Sequence, residues 1–478
     1  MSSSLKQETL TGIKWSAIER FSVQIIQFAI TLVMARLLTP ADYGVVGMIS
    51  IFMAIAQTLI DSGFSNALIR KLDRTDDDYS TVFIFNTIVG VICYIVMFFA
   101  APFIAKFFNI PILTNVIRVI SINLFLNSLT VVQRARLIID VNFKALAKVT
   151  VVSIIFSGTI GLLMAYKGAG VWALVFQSVT SSFVTTLLLF CSAKWFPKMN
   201  FSRTSFRSLF SFGSKLMISG LIQTIYSKLS ALAIGKFYTS SDLGYYSRGE
   251  QFAALPSDTV NNVLQRVTFP IFSKLQNDDN RLIGVYRKYI KITSLIIFFL
   301  MTFLASIASP LVTILLTDKW APASFFLQIF CFDYMFDHIC RINLNLLQVK
   351  GRSDLYLRLE IIKKIIATIL LIVSIPFGVI YICLSKVLYT QLAILINTHY
   401  TGKLFGLGYA VQLKDYMIYF LISLFSCMPS FFISTMNFLP VYRVIISVLV
   451  SFSLYYYILR KDDTMKEVLL ILKSKVNR

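Results

Sequence analysis

The sequence is poor in charged residues, which account for only 14% of its 478 positions. Soluble globular proteins carry about 25% charged residues. Apolar residues account for 57% and occur in long runs, and the polar stretches between them are too short to form a soluble domain of any size. This composition excludes an ordinary soluble protein and indicates a chain that crosses a membrane many times.

Motifs of several enzyme classes are also missing. The sequence contains no glycine-rich phosphate loop and no zinc motif, so we expect no cofactor and no ATPase activity. No pair among the six cysteines has metal-ligand spacing, and we expect these residues to be small buried apolar side chains. An acyltransferase would need an intramembrane histidine as a base, but His338 has no second polar signature nearby.

The apolar runs predict an all-α polytopic membrane protein with about fourteen transmembrane helices. A helix that spans a bilayer needs about 20 mostly apolar residues. The candidate segments lie near residues 15–38, 43–60, 82–107, 113–135, 146–166, 171–193, 209–235, 247–270, 289–316, 323–348, 357–378, 380–400, 415–436 and 440–459. The first run is too long for a signal peptide and lacks a small-residue cleavage site, so we expect it to be retained.

Basic residues outnumber acidic residues by 45 to 23, and they are spread unevenly over the predicted loops. When the N-terminus is placed in the cytoplasm, the loops on that side, such as the one with Arg70, Lys71 and Arg74, hold most of the Lys and Arg residues. Cytoplasmic loops are enriched in Lys and Arg. We therefore predict that both termini are cytoplasmic. We expect these charges to contact anionic phospholipids rather than nucleic acid.

One acidic cluster, Asp76-Asp77-Asp78, follows those basic residues in the same predicted cytoplasmic loop. A membrane glycosyltransferase would need its catalytic carboxylates on an outer loop. We therefore interpret the cluster as part of a solvated loop.

A short motif occurs twice, about 200 positions apart. Residues 36–44 read RLLTPADYG, and residues 236–244 read KFYTSSDLG. Each copy lies where one apolar run ends and the next begins, and six predicted spans separate the two copies. Because six is even, the two halves have the same orientation, as in transporters built from parallel repeats. The repeat therefore predicts two equivalent lobes and favours a transporter over an enzyme.

The residues of the repeated motif also have a local interpretation. Thr39 and Asp42, like Thr239 and Asp242, can cap the helix that follows, and the glycines allow a tight entry into it. We expect these residues to shape the turn rather than to contact a substrate.

Polar residues follow one face of the first predicted span and of the seventh. In the first span they are Ser16, Arg20, Gln24, Gln27 and Thr31, with Glu19 beside the arginine. In the seventh they are Ser219, Gln223, Tyr226, Ser227 and Ser230, with Lys228 one step around. Polar groups inside a bilayer need partners, so both faces line a shared cavity or hydrogen-bond to neighbouring helices. Intramembrane charges usually line pathways, although Arg20 and Lys228 also lie close enough to span ends to reach the interface.

The tenth predicted span carries the largest number of charges. Asp333, Asp337 and Arg341 recur at a spacing of four, so Asp337 and Arg341 can pair along one helix face. The pair is either a self-neutralised structural feature or an arginine held ready for an anionic group, because a guanidinium fork suits phosphate oxygens. Lys386 in the twelfth span would add a second positive charge.

Four short segments carry a family resemblance, namely residues 12–21 (GIKWSAIERF), 35–44 (ARLLTPADYG), 61–64 (DSGF) and 67–70 (ALIR). They resemble Wzx-type polysaccharide flippases, in particular the colanic-acid exporter-like subgroup. These belong to the multidrug/oligosaccharidyl-lipid/polysaccharide exporter superfamily. The resemblance implies twelve core helices in two six-helix lobes around a V-shaped cavity, followed by two C-terminal helices. The corresponding ranges are 1–200, 201–402 and 403–478.

The resemblance also implies an activity. A flippase of this kind transfers an undecaprenyl-pyrophosphate-linked oligosaccharide from the cytoplasmic to the outer leaflet of the bacterial inner membrane. We expect lipid-linked oligosaccharide as the substrate and polysaccharide polymerase machinery as a further partner. Positive side chains in the cavity would offset the desolvation of the pyrophosphate.

From the polar stripes we predict which residues perform this transport. The predicted substrate-binding residues are Arg20, Gln24, Gln27, Gln223, Lys228, Arg341 and Lys386. The predicted ion-coupling residues are Glu19, Asp333 and Asp337. One alternative is a drug/cation antiporter of the same superfamily, which should have an isolated intramembrane carboxylate. A second alternative, of a different class, is a membrane-embedded glycan polymerase or transferase.

Overall fold

A computed structural model of the protein describes residues 23–61, 63–198 and 200–476, and all regular secondary structure in these ranges is helical. The first ten helices are α1 (Val23–Leu37), α2 (Pro40–Asp61), α3 (Phe64–Arg70), α4 (Asp76–Phe108), α5 (Leu113–Ile120), α6 (Ile122–Ser128), α7 (Val131–Ile139), α8 (Phe143–Tyr166), α9 (Val171–Ala193) and α10 (Arg203–Phe237). The next ten are α11 (Ser240–Lys274), α12 (Asp279–Ser306), α13 (Ala308–Leu316), α14 (Ala321–Tyr334), α15 (Asp337–Val349), α16 (Ser353–Ser374), α17 (Val379–Phe405), α18 (Tyr409–Thr435), α19 (Pro440–Leu459) and α20 (Asp463–Val476).

The predicted all-α membrane architecture is confirmed. Nine helical segments of the described residues are long and apolar enough to cross a membrane, and a bent segment between Leu113 and Ile139 makes a tenth. The other predicted spans fall on α1, on the charged helices α11 and α16, and on the interrupted pair α14–α15. Within the described residues, each predicted segment therefore coincides with a helix or with a helix broken by a few residues, and residues 15–22 of the first segment lie outside them.

The chain divides into two compact units, residues 1–244 and 245–478. Helix α10, which we predicted to open the second lobe, belongs to the first unit because it packs against α2 and α3. The lobes were predicted from sequence repetition rather than from packing, and their boundaries stay a prediction.

In the first unit, aromatic packing holds α3 against α4 and α10. Phe64 at the start of α3 is fully buried, and its ring contacts Phe85 of α4 and Phe210 of α10. Gly63, just before α3, has φ of +68°, and a Cβ on it would approach the carbonyl oxygen of Gly213 to 2.5 Å. Glycine is required here because it adopts positive φ without strain and allows this close backbone approach.

In the second unit, α12 is surrounded by α14, α15, α18 and α20. Arg287 of α12 binds Asp415 of α18 through two hydrogen bonds of 2.7 and 2.8 Å. Tyr455 of α19 donates a hydrogen bond of 2.6 Å to the carbonyl of Leu295 and stacks on Phe299. The two C-terminal helices are therefore anchored to the core of this unit.

The two copies of the repeated motif form the same cap. The backbone N–H of Thr39 donates to Asp42, and the N–H of Asp42 donates back to the Thr39 hydroxyl, at 2.9 and 3.3 Å. Thr239 and Asp242 form the same two bonds, both at 3.1 Å. This reciprocal pattern is a capping box, which satisfies backbone donors at a helix N-terminus. The predicted capping role of these residues is confirmed.

Candidate functional site

The predicted site residues near the N-terminus are only partly described. Arg20 and Glu19 lie outside the described residues. Gln24 and Gln27 are exposed on α1, one turn apart.

On α10, Gln223 is exposed and Lys228 is half-buried. Next to Gln223, the hydroxyl of Thr224 is 3.1 Å from the hydroxyl of Thr58 on α2. Thr224, which is not one of the residues of the predicted polar face, therefore joins α10 to α2, and the roles of Gln223 and Lys228 stay a prediction.

Arg341 and Asp337 form the ion pair that their spacing predicted, at 2.6 Å. Helix α11 adds two partners that the sequence did not reveal. Asn261 donates to the same Asp337 oxygen at 3.1 Å, and Asp258 lies 3.8 Å from the Arg341 guanidinium. The Arg341 side chain is still 43% exposed. The arrangement can present a guanidinium to an anionic group while two carboxylates hold it in position.

Lys386 lies in a second cluster of the same unit. Its ammonium group donates to Glu250 and to the hydroxyl oxygen of Tyr246, both at 2.6 Å. Asp333, which faces the same region, accepts a hydrogen bond of 2.5 Å from Thr390. The sequence indicated Lys386 and Asp333 but not Glu250, which neutralises the lysine. In this arrangement Lys386 is a paired cation.

A polar cavity of ≈ 530 Å³ lies within the first unit. Its lining residues are Gln57, Thr58, Asp61, Gly63, Ser65, Asn66, Asn127, Thr130, Val131, Arg134, Leu216 and Met217. Three of these form a chain, in which Asn127 donates to Gln57 at 3.0 Å and Gln57 donates to Asp61 at 3.1 Å. None of them was among the predicted site residues, although Asp61 and Gly63 belong to a segment that carries the family resemblance.

The histidine weighed as an acyltransferase base is buried in the second unit. The His338 ring nitrogen Nε2 is 2.9 Å from the Ser294 hydroxyl, and the ring packs edge-on against Phe298. These contacts are those of a packed core residue. Among the described residues, no group of three His, Cys, Asp or Glu side chains is arranged to hold a metal ion.

Comparison with known proteins identifies the family. The profile of a family described as "Polysaccharide biosynthesis protein" matches residues 33–325, more than half of the chain. The chain belongs to this family. The match begins in α1 and ends in α14, so it includes the first-unit cavity and both copies of the repeated motif.

Two curated relatives agree with this assignment. The teichuronic acid biosynthesis protein TuaB of Bacillus subtilis (strain 168) is 24% identical over 354 residues, which are 74% of this chain and 73% of TuaB. The lipopolysaccharide biosynthesis protein WzxC of Escherichia coli (strain K12) is 23% identical over 377 residues, 78% of this chain and 76% of WzxC. The predicted resemblance to polysaccharide flippases is confirmed.

A solved structure shares the fold. The lipid II flippase MurJ in an inward closed conformation superposes with a TM-score of 0.75, covering 93% of this chain and 99% of MurJ. The sequence identity is 14%, so this similarity shows the fold alone.

Proposed function

We propose that the chain is a flippase that carries an oligosaccharide linked to undecaprenyl pyrophosphate across the bacterial inner membrane. It would serve the biosynthesis of a surface polysaccharide and work by alternating access. The family and the relatives TuaB and WzxC, both named for polysaccharide biosynthesis, support this proposal. The multi-helix membrane fold supports a transporter.

The structural observation that carries the proposal is the ion pair between Arg341 and Asp337, in which the arginine stays half-exposed. Transfer of a pyrophosphate into a bilayer is very costly unless the protein supplies opposite charge. Arg341 supplies a guanidinium fork that matches phosphate oxygens, and it is exposed enough to reach a ligand. Asp337 and Asp258 would keep it neutralised while the site is empty. The remaining predicted substrate contacts stay proposals.

We propose that Asp333, Asp337 and Glu19 couple transport to an ion. Only the two aspartates lie within the described residues. Both aspartates are held by neighbouring side chains, Asp333 by Thr390 and Asp337 by Arg341. Protonation or cation binding at Asp337 would release Arg341 to bind the pyrophosphate. This exchange would link ion movement to substrate movement.

The experiment compares transport by the wild type with transport by Arg341→Gln. In a strain that lacks the chromosomal copy, the lipid-linked repeat should accumulate on the inner leaflet, and the wild-type chain should clear it. Charge-assisted hydrogen bonds contribute about 1.5–3 kcal/mol, so we expect Arg341→Gln to lower the rate of clearance at least about tenfold. The matched control is Arg352→Gln, which removes an arginine paired with Asp354 beyond the end of α15.

Two results would contradict the proposal. Absence of accumulation in the deletion strain would refute the flippase function. Equal clearance by the wild type, Arg341→Gln and Arg20→Ala would refute the assigned pyrophosphate site. Gln24→Ala should have a smaller effect than either arginine change, because it removes a neutral contact.

The alternatives receive less support from the geometry. A drug/cation antiporter should bind an organic cation at an isolated carboxylate, but Asp337 and Glu250 are both paired with basic residues. Asp61 and Asp333 have no direct ion pair among the described residues, but each lies near a positive charge, Arg134 and Lys386 respectively. A drug-efflux assay in a sensitised strain would detect that function. If the chain were a polymerase or transferase, the purified protein would make new glycosidic bonds between sugars. We propose that it makes none.

We propose that the protein is inserted in the inner membrane with both termini in the cytoplasm, as its basic loops predict. Anionic phospholipids and polysaccharide polymerase machinery are its proposed partners.

A further inference from the structure

The cavity of the first unit has a lining that fits a polyhydroxylated ligand. Its side chains include three amides (Gln57, Asn66 and Asn127) and three hydroxyls (Thr58, Ser65 and Thr130). Amides and hydroxyls can both donate and accept hydrogen bonds. The volume of ≈ 530 Å³ lies within the range of about 300–1,000 Å³ that is typical of small-molecule sites. A sugar presents closely spaced hydroxyls that match such a surface.

Asp61 is held in a defined orientation within this cavity. Asn127 donates to the Gln57 side-chain oxygen, and this bond orients the Gln57 amide so that its nitrogen donates to Asp61 Oδ1. The Asp61 side chain itself is exposed to the cavity. A carboxylate oriented in this way can accept charge-assisted hydrogen bonds from hydroxyl groups.

Arg134 supplies a charge of opposite sign in the same cavity. Arg134 and Asp61 both line this cavity, and the arginine attracts the carboxylate, although within the described residues the two side chains form no direct ion pair. The arginine disfavours a bare metal cation at Asp61, and the aspartate disfavours a pyrophosphate at Arg134. A neutral ligand with many hydroxyls satisfies both groups because it can donate to one and accept from the other.

In the predicted topology, the cavity lies near the cytoplasmic side, from which cargo would load. It includes Asp61 at the end of α2 and Arg134 of α7, and both flank loops that the basic residues predict to be cytoplasmic. Gly63 forms part of the cavity wall. It lies between α2 and α3 and has a positive φ of +68°.

We infer that the first-unit cavity is a loading site for the carbohydrate headgroup, in which Asp61 and Arg134 recognise sugar hydroxyls. This inference rests on the proposed flippase function, and it assigns the sugar of the substrate to a cavity lined only by residues of the first unit.

The test measures binding by the purified full chain in nanodiscs, with native mass spectrometry. One probe is the lipid-linked oligosaccharide extracted from the source organism, and the other is undecaprenyl pyrophosphate without sugar. Asp61→Asn should weaken binding of the sugar-bearing probe about tenfold, the effect of roughly one lost charge-assisted hydrogen bond. Its affinity for undecaprenyl pyrophosphate should equal that of the wild type.

Asp76→Asn is the matched control, because it makes the same chemical change at an exposed carboxylate paired with Lys198, away from the cavity lining. It should leave both affinities unchanged. If Asp61→Asn left both affinities unchanged, or weakened them equally, the inference would be overturned. If the wild type bound neither probe, the proposed function would fail as well.

A labelling experiment covers the case in which Asp61→Asn does not fold. Cys191 is exposed and the other five cysteines are buried, so Asn66→Cys is made in a Cys191→Ser background. The sugar-bearing probe should slow maleimide labelling at residue 66 at least about fivefold, and undecaprenyl pyrophosphate should not. Lys198→Cys, outside the cavity, should label at the same rate with either probe. Equal labelling of residue 66 with both probes would contradict the inference.

Discussion

Gly44 and Gly244 occupy the same position in the two copies of the repeated motif, and each lies against the backbone of the other copy. A Cβ on Gly44 would overlap the carbonyl oxygen of Ser240, and a Cβ on Gly244 would overlap that of Pro40. Such an exchange of equivalent contacts is what a two-fold relationship between two motifs produces. The repeat is therefore visible in the contacts as well as in the sequence.

The first prediction concerns these glycines. Gly44→Ala or Gly244→Ala should lower the free energy of unfolding by about 1–3 kcal/mol, because the added methyl group would force the two backbones apart. Thermal unfolding of the detergent-solubilised protein measures the effect. Gly284→Ala is the control, because it lies in α12 with no atom within 4 Å of the added carbon. Equal melting temperatures for all three variants would contradict the proposed close packing.

The second prediction concerns the pair formed by Lys386 and Glu250. Glu250→Gln leaves the half-buried lysine without its carboxylate and should destabilise the protein by about 1–3 kcal/mol, less than a fully buried pair because both side chains are partly exposed. The double variant Glu250→Gln/Lys386→Met should recover part of that loss. A double-mutant cycle of unfolding temperatures measures the coupling.

The same variants also test whether Lys386 contacts the substrate. If it does, the double variant should be stable but should transport poorly. Full transport by a stable double variant would leave Lys386 with a structural role only.

The third prediction concerns the anchor of the C-terminal helices. Asp415 is only 3% exposed and receives both Arg287 hydrogen bonds, with Lys291 at 3.5 Å. Asp415→Asn should cost about 3 kcal/mol, because it leaves the positive side chains without their buried partner. Thermal unfolding and limited proteolysis between α17 and α18 measure the loss.

Asp463→Asn is the control for that change, because Asp463 pairs with Lys466 at a fully solvated site, where an ion pair contributes at most about 1 kcal/mol. A melting temperature of Asp415→Asn equal to that of Asp463→Asn would show that α18 does not depend on this contact.

Local sequence patterns were enough to predict the long apolar helices, the caps of the repeated motif and one ion pair. Hydropathy is a property of each segment, and the thickness of the bilayer sets the length of a span, so the segments could be located without knowledge of their neighbours. The Thr39–Asp42 cap and the Asp337–Arg341 pair join residues three and four positions apart. Helix geometry alone brings such residues together.

The partners that complete each site come from distant parts of the chain. Glu250 and Lys386 are 136 positions apart, Asn261 and Asp337 are 76 apart, and Asn127 and Gln57 are 70 apart. A polar residue on an apolar helix indicates that a partner exists but not which residue it is, since many helices could supply one. The sequence by itself determined that the protein crosses a membrane many times, that it contains an internal repeat and that some of its spans carry charged residues. Only the packing of its helices decided that Lys386 is neutralised, that Arg341 stays accessible and that Asp61 and Arg134 share a cavity.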